Sequence, residues 1–254
     1  MRITVLTQDE PFYLAESLDY LIKNLPKEAR ITSVVLFDVS PFGKKESFIT
    51  KAKKTYSIFG LHFFIYYSFK YIFSFFKKRK KIPNVLKKHK ISKIRLSKSV
   101  NHRDSLDIIK SHEPDLLISI AGNQIFKLPL INLAPKGCLN LHTALLPKYR
   151  GLMPTFWVLK NNEKHTGVSV FFVDEGIDSG PILVQKKVEI GNMTQEQLIR
   201  KTKKMGMEAI AEGIEKIISE KYELIENPAE EKTYYTFPTK NDVKEFKSIG
   251  KRFF

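Results

Sequence analysis

A chain of 254 residues, 43% hydrophobic and 28% charged, is long and apolar enough to bury a core, which excludes global disorder. One cysteine, Cys138, excludes a disulfide framework and a cysteine-based zinc site; the opening MRITVLTQDEPF lacks the long apolar region of a signal peptide, so a cytoplasmic protein is expected. The net charge of +16 is local: Lys44 to Lys98 hold 17 Lys/Arg against the single acid Glu46, and the other 199 residues balance to zero.

In chain order, RITVL (Arg2–Leu6) reads as a strand and Pro11–Leu25 as a helix, with Leu14, Leu18, Leu21, Ile22 and Leu25 at helical spacing. ITSVVLF (Ile31–Phe37) is a second strand, closed by Pro41 and Gly43, and Ile91–Leu96 a third. Asn101 is expected to cap a helix reaching about His112. DLLISI (Asp115–Ile120) is a continuous apolar run of the kind buried on both faces. Gly137–His142 is a short strand, LLPKYRG a loop and Pro154–Asn161 a helix. Gly167–Val173 and Pro181–Ile190 are further strands. Thr194 with Gln197 forms a capping box for a long helix to about Ser219. A polar stretch, Glu226–Lys232, leads into a tail whose Tyr234, Tyr235 and Phe237 suit a small lid or a docking strand. Alternation of strand and helix predicts an α/β, Rossmann-like fold, with a mostly parallel central sheet and helices on both faces. Residues 1–225 form one domain in this reading, with 44–98 as an insertion and 226–254 as a short C-terminal extension.

The insertion is aromatic as well as basic: Tyr56 to Phe76 contain 11 Phe/Tyr in 21 residues. Ile58–Phe76 is apolar nearly all round a helix, with His62, Ser68, Lys70 and Ser74 scattered over its faces, so it is expected to be buried in protein or lipid. With Lys70 inside it, the segment falls short of the ~20 apolar residues of a membrane span. Lys77, Lys78, Arg79, Lys80 and Lys81 follow directly, then six more Lys/Arg to Lys98. Two readings stay open. Residues 57–98 are a peripheral anchor on an anionic, cytoplasmic membrane face, or they are a hairpin packed on the core or on a partner in a homodimer. A nucleic-acid patch leaves the aromatics unexplained.

Three motifs carry chemistry. Asn140 and His142 are two apart on a strand, so both project from one face at a sheet edge. The loop DEGIDSG places Asp174, Gly176, Asp178 and Gly180 at every second position; too few oxygen ligands surround it for a divalent metal, so none is expected. LLPKYRG brackets Arg150 with Pro147 and Gly151, which suits an anionic or polar substrate group.

Together these motifs resemble the catalytic core of the folate-dependent formyltransferases, a group that includes methionyl-tRNA, glycinamide ribonucleotide and sugar N-formyltransferases. The resemblance is strongest over Asp115–Ile190, with looser agreement from Met1 to about Tyr222. It implies a Rossmann-like formyltransferase fold, catalysis by Asn140, His142 and Asp178, and 10-formyltetrahydrofolate as co-substrate, with no metal. It implies that the pterin lies against Ala121, Gly122, Asn123 and Gln124, and against Val173, Asp174, Glu175, Gly176 and Ile177. The loop Thr143, Leu145, Pro147, Tyr149, Arg150 and Gly151 is then the acceptor side. The chemistry suits these residues: an amine attacking a formyl carbon creates an oxyanion that Asn140 and His142 can meet with N–H donors. Asp178 can orient the imidazole or take the amine's proton, and the division of that work between Asp178 and His142 stays open.

The acceptor is reached by elimination. Some thirty-five residues follow Ser219, too few for the barrel domain of the methionyl-tRNA enzymes. LTQDEPFY after the first strand lacks the glycine-rich phosphate loop of the glycinamide ribonucleotide enzymes. A nucleotide-linked amino sugar for surface polysaccharide remains as the expected acceptor. A tRNA-directed enzyme without the barrel is the runner-up. A membrane-associated binding module without catalysis is the rival from another class.

Overall fold

The β-branched run at the chain start forms β1 (Arg2–Gln8), with Ile3 and Val5 buried on one face and Leu6 on the other. A strand buried on both sides needs a helical layer on both sides, and the chain supplies them. The computed structural model describes residues 1–38, 47–76 and 81–254. Pro41, Gly43, Lys44, Lys45, Glu46 and the run Lys77, Lys78, Arg79 and Lys80 lie outside the described residues.

The first helix, α1 (Leu14–Lys23), starts later than the periodicity predicts. The Glu10 carboxylate accepts hydrogen bonds from the amides of Phe12, Tyr13 and Leu14, supplying the free N–H groups of a helix start with an acceptor. Next comes β2 (Arg30–Phe37), parallel to β1. The aromatic stretch is two helices rather than one, α2 (Phe48–Phe59) and α3 (Leu61–Phe76). Gly60 separates them at φ +86°, a conformation that residues with a Cβ rarely adopt. Then follow α4 (Ile82–Lys88), β3 (Ser92–Ile94) and α5 (Arg103–Lys110). The cap of α5 is His102, whose Nδ1 accepts from the Asp104 amide. Asn101, the expected cap, instead donates to the Ile125 carbonyl and accepts from the Lys127 amide.

The middle of the chain contributes β4 (Leu116–Ile120), α6 (Leu128–Ile131), β5 (Cys138–His142) and β6 (Arg150–Gly151). After α7 (Pro154–Lys160) come β7 (His165–Phe172) and β8 (Ile182–Glu189). The long α8 (Gln195–Ser219) opens on the expected Thr194/Gln197 capping box. The tail holds β9 (Tyr234–Tyr235), paired parallel with β6, and α9 (Lys240–Ser248).

Among the described residues, seven strands form one sheet in the order β3-β2-β1-β4-β5-β7-β8. All pairs are parallel except those of β7, which is antiparallel to β5 and β8. This is the mostly parallel α/β sheet expected from the strand–helix alternation. Apolar residues of α1, α4 and α8 cover one face, and those of α5 and α6 cover the other. The order places a topological switch between β1 and β4, where ligands of open α/β sheets bind at the carboxyl ends of the strands.

A further apolar cluster joins Phe59 and Phe63 of the hairpin to Phe156 and Trp157 of α7, Leu198 of α8, and Val243, Phe246 and Phe253 of the tail. Burying a ring of this size contributes roughly 1.5–3 kcal/mol, so residues 226–254 are anchored by the same core as the helices before them. A polar knot ties α3 to α8: Lys70 Nζ lies 3.0 Å from Glu196, Tyr66 donates to Glu196 at 2.8 Å, and Arg200 holds it at 2.8 Å. Lys70 therefore faces protein. Burial pulls its ammonium below the usual lysine value, partly offset by Glu196.

Candidate active site

The site is built where β1, β4 and β5 end. Ser119 of β4 lies beside Asn140 of β5 in the ladder, and both open into a cleft of about 330 Å³. Gln8 enters from the end of β1, Gly151 from β6 with Leu152 and Met153 after it, and Val173, Asp174, Gly176, Ile177 and Asp178 from the loop after β7.

Asp178 is the hub. Its φ of +50° puts it in the left-handed region, where Met153, which also lines the cleft, lies too. Such strained residues cost of order 1–3 kcal/mol each and collect at functional sites. One Asp178 oxygen, Oδ2, accepts from the Gly151 amide at 2.8 Å and lies 3.5 Å from His142 Nδ1. The other, Oδ1, is 3.5 Å from Asn140 Nδ2. His142 is buried, and its Nε2 sits 2.7 Å from the Tyr149 carbonyl. A carbonyl can only accept, so Nε2 carries a hydrogen and Nδ1 is the ring atom turned toward Asp178. The three residues picked out by the resemblance, Asn140, His142 and Asp178, thus stand within reach of one another, although 38 residues separate the first from the last.

The loop residues divide. Gly122, Asn123, Gln124, Val173, Asp174, Gly176, Ile177 and Gly151 line the cleft, whereas Ala121, Glu175, Thr143, Leu145, Pro147 and Tyr149 do not. A Cβ on Gly122 would meet Ser119 Oγ at 2.6 Å, so the backbone there is closely packed against the cleft wall. Asn123 donates to the Asp38 carbonyl at 2.7 Å, and its Oδ1 is a buried acceptor without a partner among the described residues. An unsatisfied acceptor beside a mainly apolar cleft suits a flat heterocycle that carries N–H groups. Gln124 spends its amide oxygen on the Val100 amide. Tyr149 is buried, stacked on Tyr235 and bonded to Glu163. Arg150 is 4% exposed and turned away from the cleft, its Nη2 on the Asn227 side-chain and backbone oxygens at 2.8 and 3.1 Å.

Sequence reasoning missed several residues here. Gln8, Ser119, Ile125, Phe126, Leu152, Met153 and Phe171 also line the cleft, together with Phe237 of the tail, which the sequence singles out. For Ser119 a signal existed: it is the hydroxyl inside the apolar run LLISI. None existed for Asn227, whose Nδ2 donates to the Asp178 and Gly180 carbonyls at 3.0 and 2.9 Å from a stretch without pattern. Among the described residues no group of three or more His, Cys, Asp or Glu side chains converges as a metal site.

A doubly wound α/β protein with a mainly apolar cleft at its switch point, an Asn and an Asp on its wall and a buried His against that Asp, is the class defined by this fold and site. The chain belongs to the formyl transferase family, whose model matches residues 74–214. It is 37% identical over 147 residues to the methionyl-tRNA formyltransferase of Kosmotoga olearia, covering 58% of this chain and 47% of that one. To the enzyme of the same name from Thermodesulfovibrio yellowstonii it is 43% identical over 110 residues, 43% of this chain and 36% of that one. The chain therefore matches about half, or less, of the length of these relatives. Solved structures share the fold. A sugar N-formyltransferase from Shewanella sp FDAARGOS_354 superposes with a TM-score of 0.59 at 18% identity, over 93% of this chain and 77% of that one. A phosphoribosylglycinamide formyltransferase from Anaplasma phagocytophilum superposes with a TM-score of 0.64 at 16% identity, over 94% of this chain and 99% of that one.

Proposed function

We propose that this protein transfers a formyl group from 10-formyltetrahydrofolate to a primary amine, with a nucleotide-linked amino sugar as acceptor. The observation that carries the reading is that Asp178, which lines the cleft with Asn140, lies 3.5 Å from both Asn140 Nδ2 and Nδ1 of the buried His142. When bound, the folate supplies the formyl carbon. Gly122, Asn123, Val173 and Gly176 would hold its ring, with Asn123 Oδ1 as the waiting acceptor. Asn140 Nδ2 is the neutral donor for developing negative charge on the formyl oxygen. His142, fixed through Nε2–H by the Tyr149 carbonyl, presents Nδ1, which accepts a proton in the neutral ring and is a second donor only as the imidazolium. Asp178 lies against the imidazole and would take the proton released by the amine. The formyl carbon's bond to the folate nitrogen would break as the new one to the amine is completed, and that nitrogen would leave with the proton.

Two features support a small acceptor. Among the described residues that line the cleft there is no Lys or Arg, the side chains with which proteins track a polyanion. Phe237, exposed at the cleft and edge-to-face with Phe59, offers an aromatic surface to a nucleoside base. A solved N-formyltransferase from Helicobacter canadensis, in complex with folinic acid and dTDP-3-aminofucose, is 19% identical to this chain. A methionyl-tRNA acceptor is the second reading, favoured by the names of the sequence relatives. Mass spectrometry separates the two. Incubation with 10-formyltetrahydrofolate and a panel of nucleotide-linked amino sugars should add one formyl group to an acceptor; formylation of charged methionyl-tRNA alone would establish the second reading. In the same reading the enzyme works in the cytoplasm.

A further inference from the structure

The aromatic hairpin is used on only one side. Along α3, Phe63, Tyr66, Tyr67 and Lys70 face the tail, α1 and α8: Phe63 stacks on Phe59 and meets Phe253, and Tyr66 stacks on Phe254. The opposite arc carries Leu61, Ile65, Phe69, Ile72, Phe73 and Phe76, all exposed. Spacings of four, four, three, one and three keep these six on one side of a 3.6-residue helix. Phe69 and Phe73 are each 59% exposed and Phe76 is 78% exposed. His62 lies at the border of this arc, its ring against Phe254. Soluble monomers rarely leave a contiguous apolar patch of this size in water, and such patches mark interaction surfaces.

We propose that the outer face of α3 docks the protein on an anionic phospholipid bilayer, with the helix lying flat in the interface. Three observations choose this occupant. Spanning is excluded by length and by use: α3 covers about 24 Å at 1.5 Å per residue, no described helix is long and apolar enough to cross a membrane, and its inner face is committed to protein. A second copy is disfavoured by charge. A two-fold interface sets the same patch against itself, and residues 44–98 carry 17 Lys/Arg with one acid, so two copies would oppose like charge. An anionic bilayer complements that charge. Lys53 and Lys54 are exposed on α2 and Lys81 is exposed ahead of α4, with Lys87 and Lys90 exposed further on, whereas Lys88 is ion-paired with Asp19. A nucleic acid would satisfy the charge and leave six apolar side chains in water.

Docking would sit close to the chemistry, since Phe59 of α2 touches Phe237, which lines the cleft. The inference does not rest on the identity of the acceptor.

Flotation of the full chain with vesicles tests it. At low salt the protein should co-float with equimolar phosphatidylcholine and phosphatidylglycerol, and far less with phosphatidylcholine alone. The triple substitution Ile65→Ser, Phe69→Ser and Phe73→Ser removes apolar area only from the exposed arc. It should lower partitioning by about tenfold or more, with thermal stability and turnover on a soluble acceptor retained. If that variant misfolds, Leu61→Ser with Phe76→Ser at the two ends of the arc makes the same measurement. Several results would overturn the proposal. One is a wild-type chain that stays at the bottom of the gradient. Another is a serine variant that folds and floats as well as wild type, which would mean adsorption by charge alone. A wild-type dimer that becomes monomeric in the serine variant would assign the face to a second copy. Displacement from vesicles by tRNA that binds wild type and serine variant equally would assign the basic region to nucleic acid.

Discussion

Replacing Asn227 by Ala tests the clamp that holds the two site loops together. The side chain donates to the Asp178 and Gly180 carbonyls and accepts from Arg150. Two neutral hydrogen bonds contribute about 1 kcal/mol each, and one to a guanidinium roughly 1.5–3 kcal/mol. Arg150 is 4% exposed and its Nε already lacks a partner among the described residues, so the loss on that side falls on a buried charge that water reaches poorly. Asn227 itself is half-buried, and water entering its place returns part of the total. The net cost is then about 2–3 kcal/mol, or roughly 5–10 °C in Tm for a chain of this length. Urea titration followed by circular dichroism gives the stability, and steady-state kinetics give the effect on the site. Asn227→Asp separates the two jobs: it keeps an acceptor for Arg150 and sets a carboxylate against two carbonyl oxygens. Its stability should fall less than that of the Ala variant, and its kcat should fall at least as far, because the Asp178 loop is pushed away. An Ala variant with a melting point within about 1 °C of wild type and normal turnover would refute the reasoning.

Asn140→Ala and Asp178→Asn should each fold normally, judged by circular dichroism, and lose roughly 10²–10³ in turnover; near-normal rates would remove them from the chemistry. A Cβ on Gly180 would stand 1.8 Å from the Phe172 carbonyl oxygen, so Gly180→Ala should displace the Asp178 loop and cost about 1–3 kcal/mol in a urea melt; an unchanged midpoint contradicts this packing. Burial pushes the Cys138 thiol up to about 12, so a thiol reagent at mildly alkaline pH should label it only as fast as the protein unfolds, and Cys138→Ser should keep most activity; labelling at the rate of a free thiol means the strand is open. Burial works to raise the Glu196 carboxyl, but Arg200, Lys70 and Tyr66 outweigh it and hold it below its ordinary value. The stability it contributes is therefore full above the unfolded value of about 4.3 and lost as pH falls through the lower folded value. Glu196→Gln should flatten that acid-side loss in urea melts taken from neutral pH downward, and an identical pH profile in wild type and variant would rule the knot out.

Much of the fold was legible in the residues because local rules and burial agreed. Runs such as LLISI and ITSVVLF have no polar face, so they suit strands covered on both sides and little else. Thr194 and Gln197 specify a helix start by their own side chains, and the structure starts α8 there. Strand spacing put Asn140 and His142 on one face, and the resemblance, not the loop pattern, singled out Asp178 from Asp174. The convergence of the three was not legible: β7 runs antiparallel to β5 and ends beside Leu139, so the loop after it must fold back along β5 for Asp178 to reach Asn140 and His142. Arg150 shows the limit of local reading. Bracketed by proline and glycine it looked like a substrate contact, and a partner 77 residues away turns it inward. The same limit applied to the aromatic stretch. A segment apolar on every side contains no information about which side is buried, since periodicity distinguishes faces only when they differ in polarity. Contacts with Phe253, Phe254 and Glu196, all far along the chain, settled which arc of α3 faces protein and left the other in solvent.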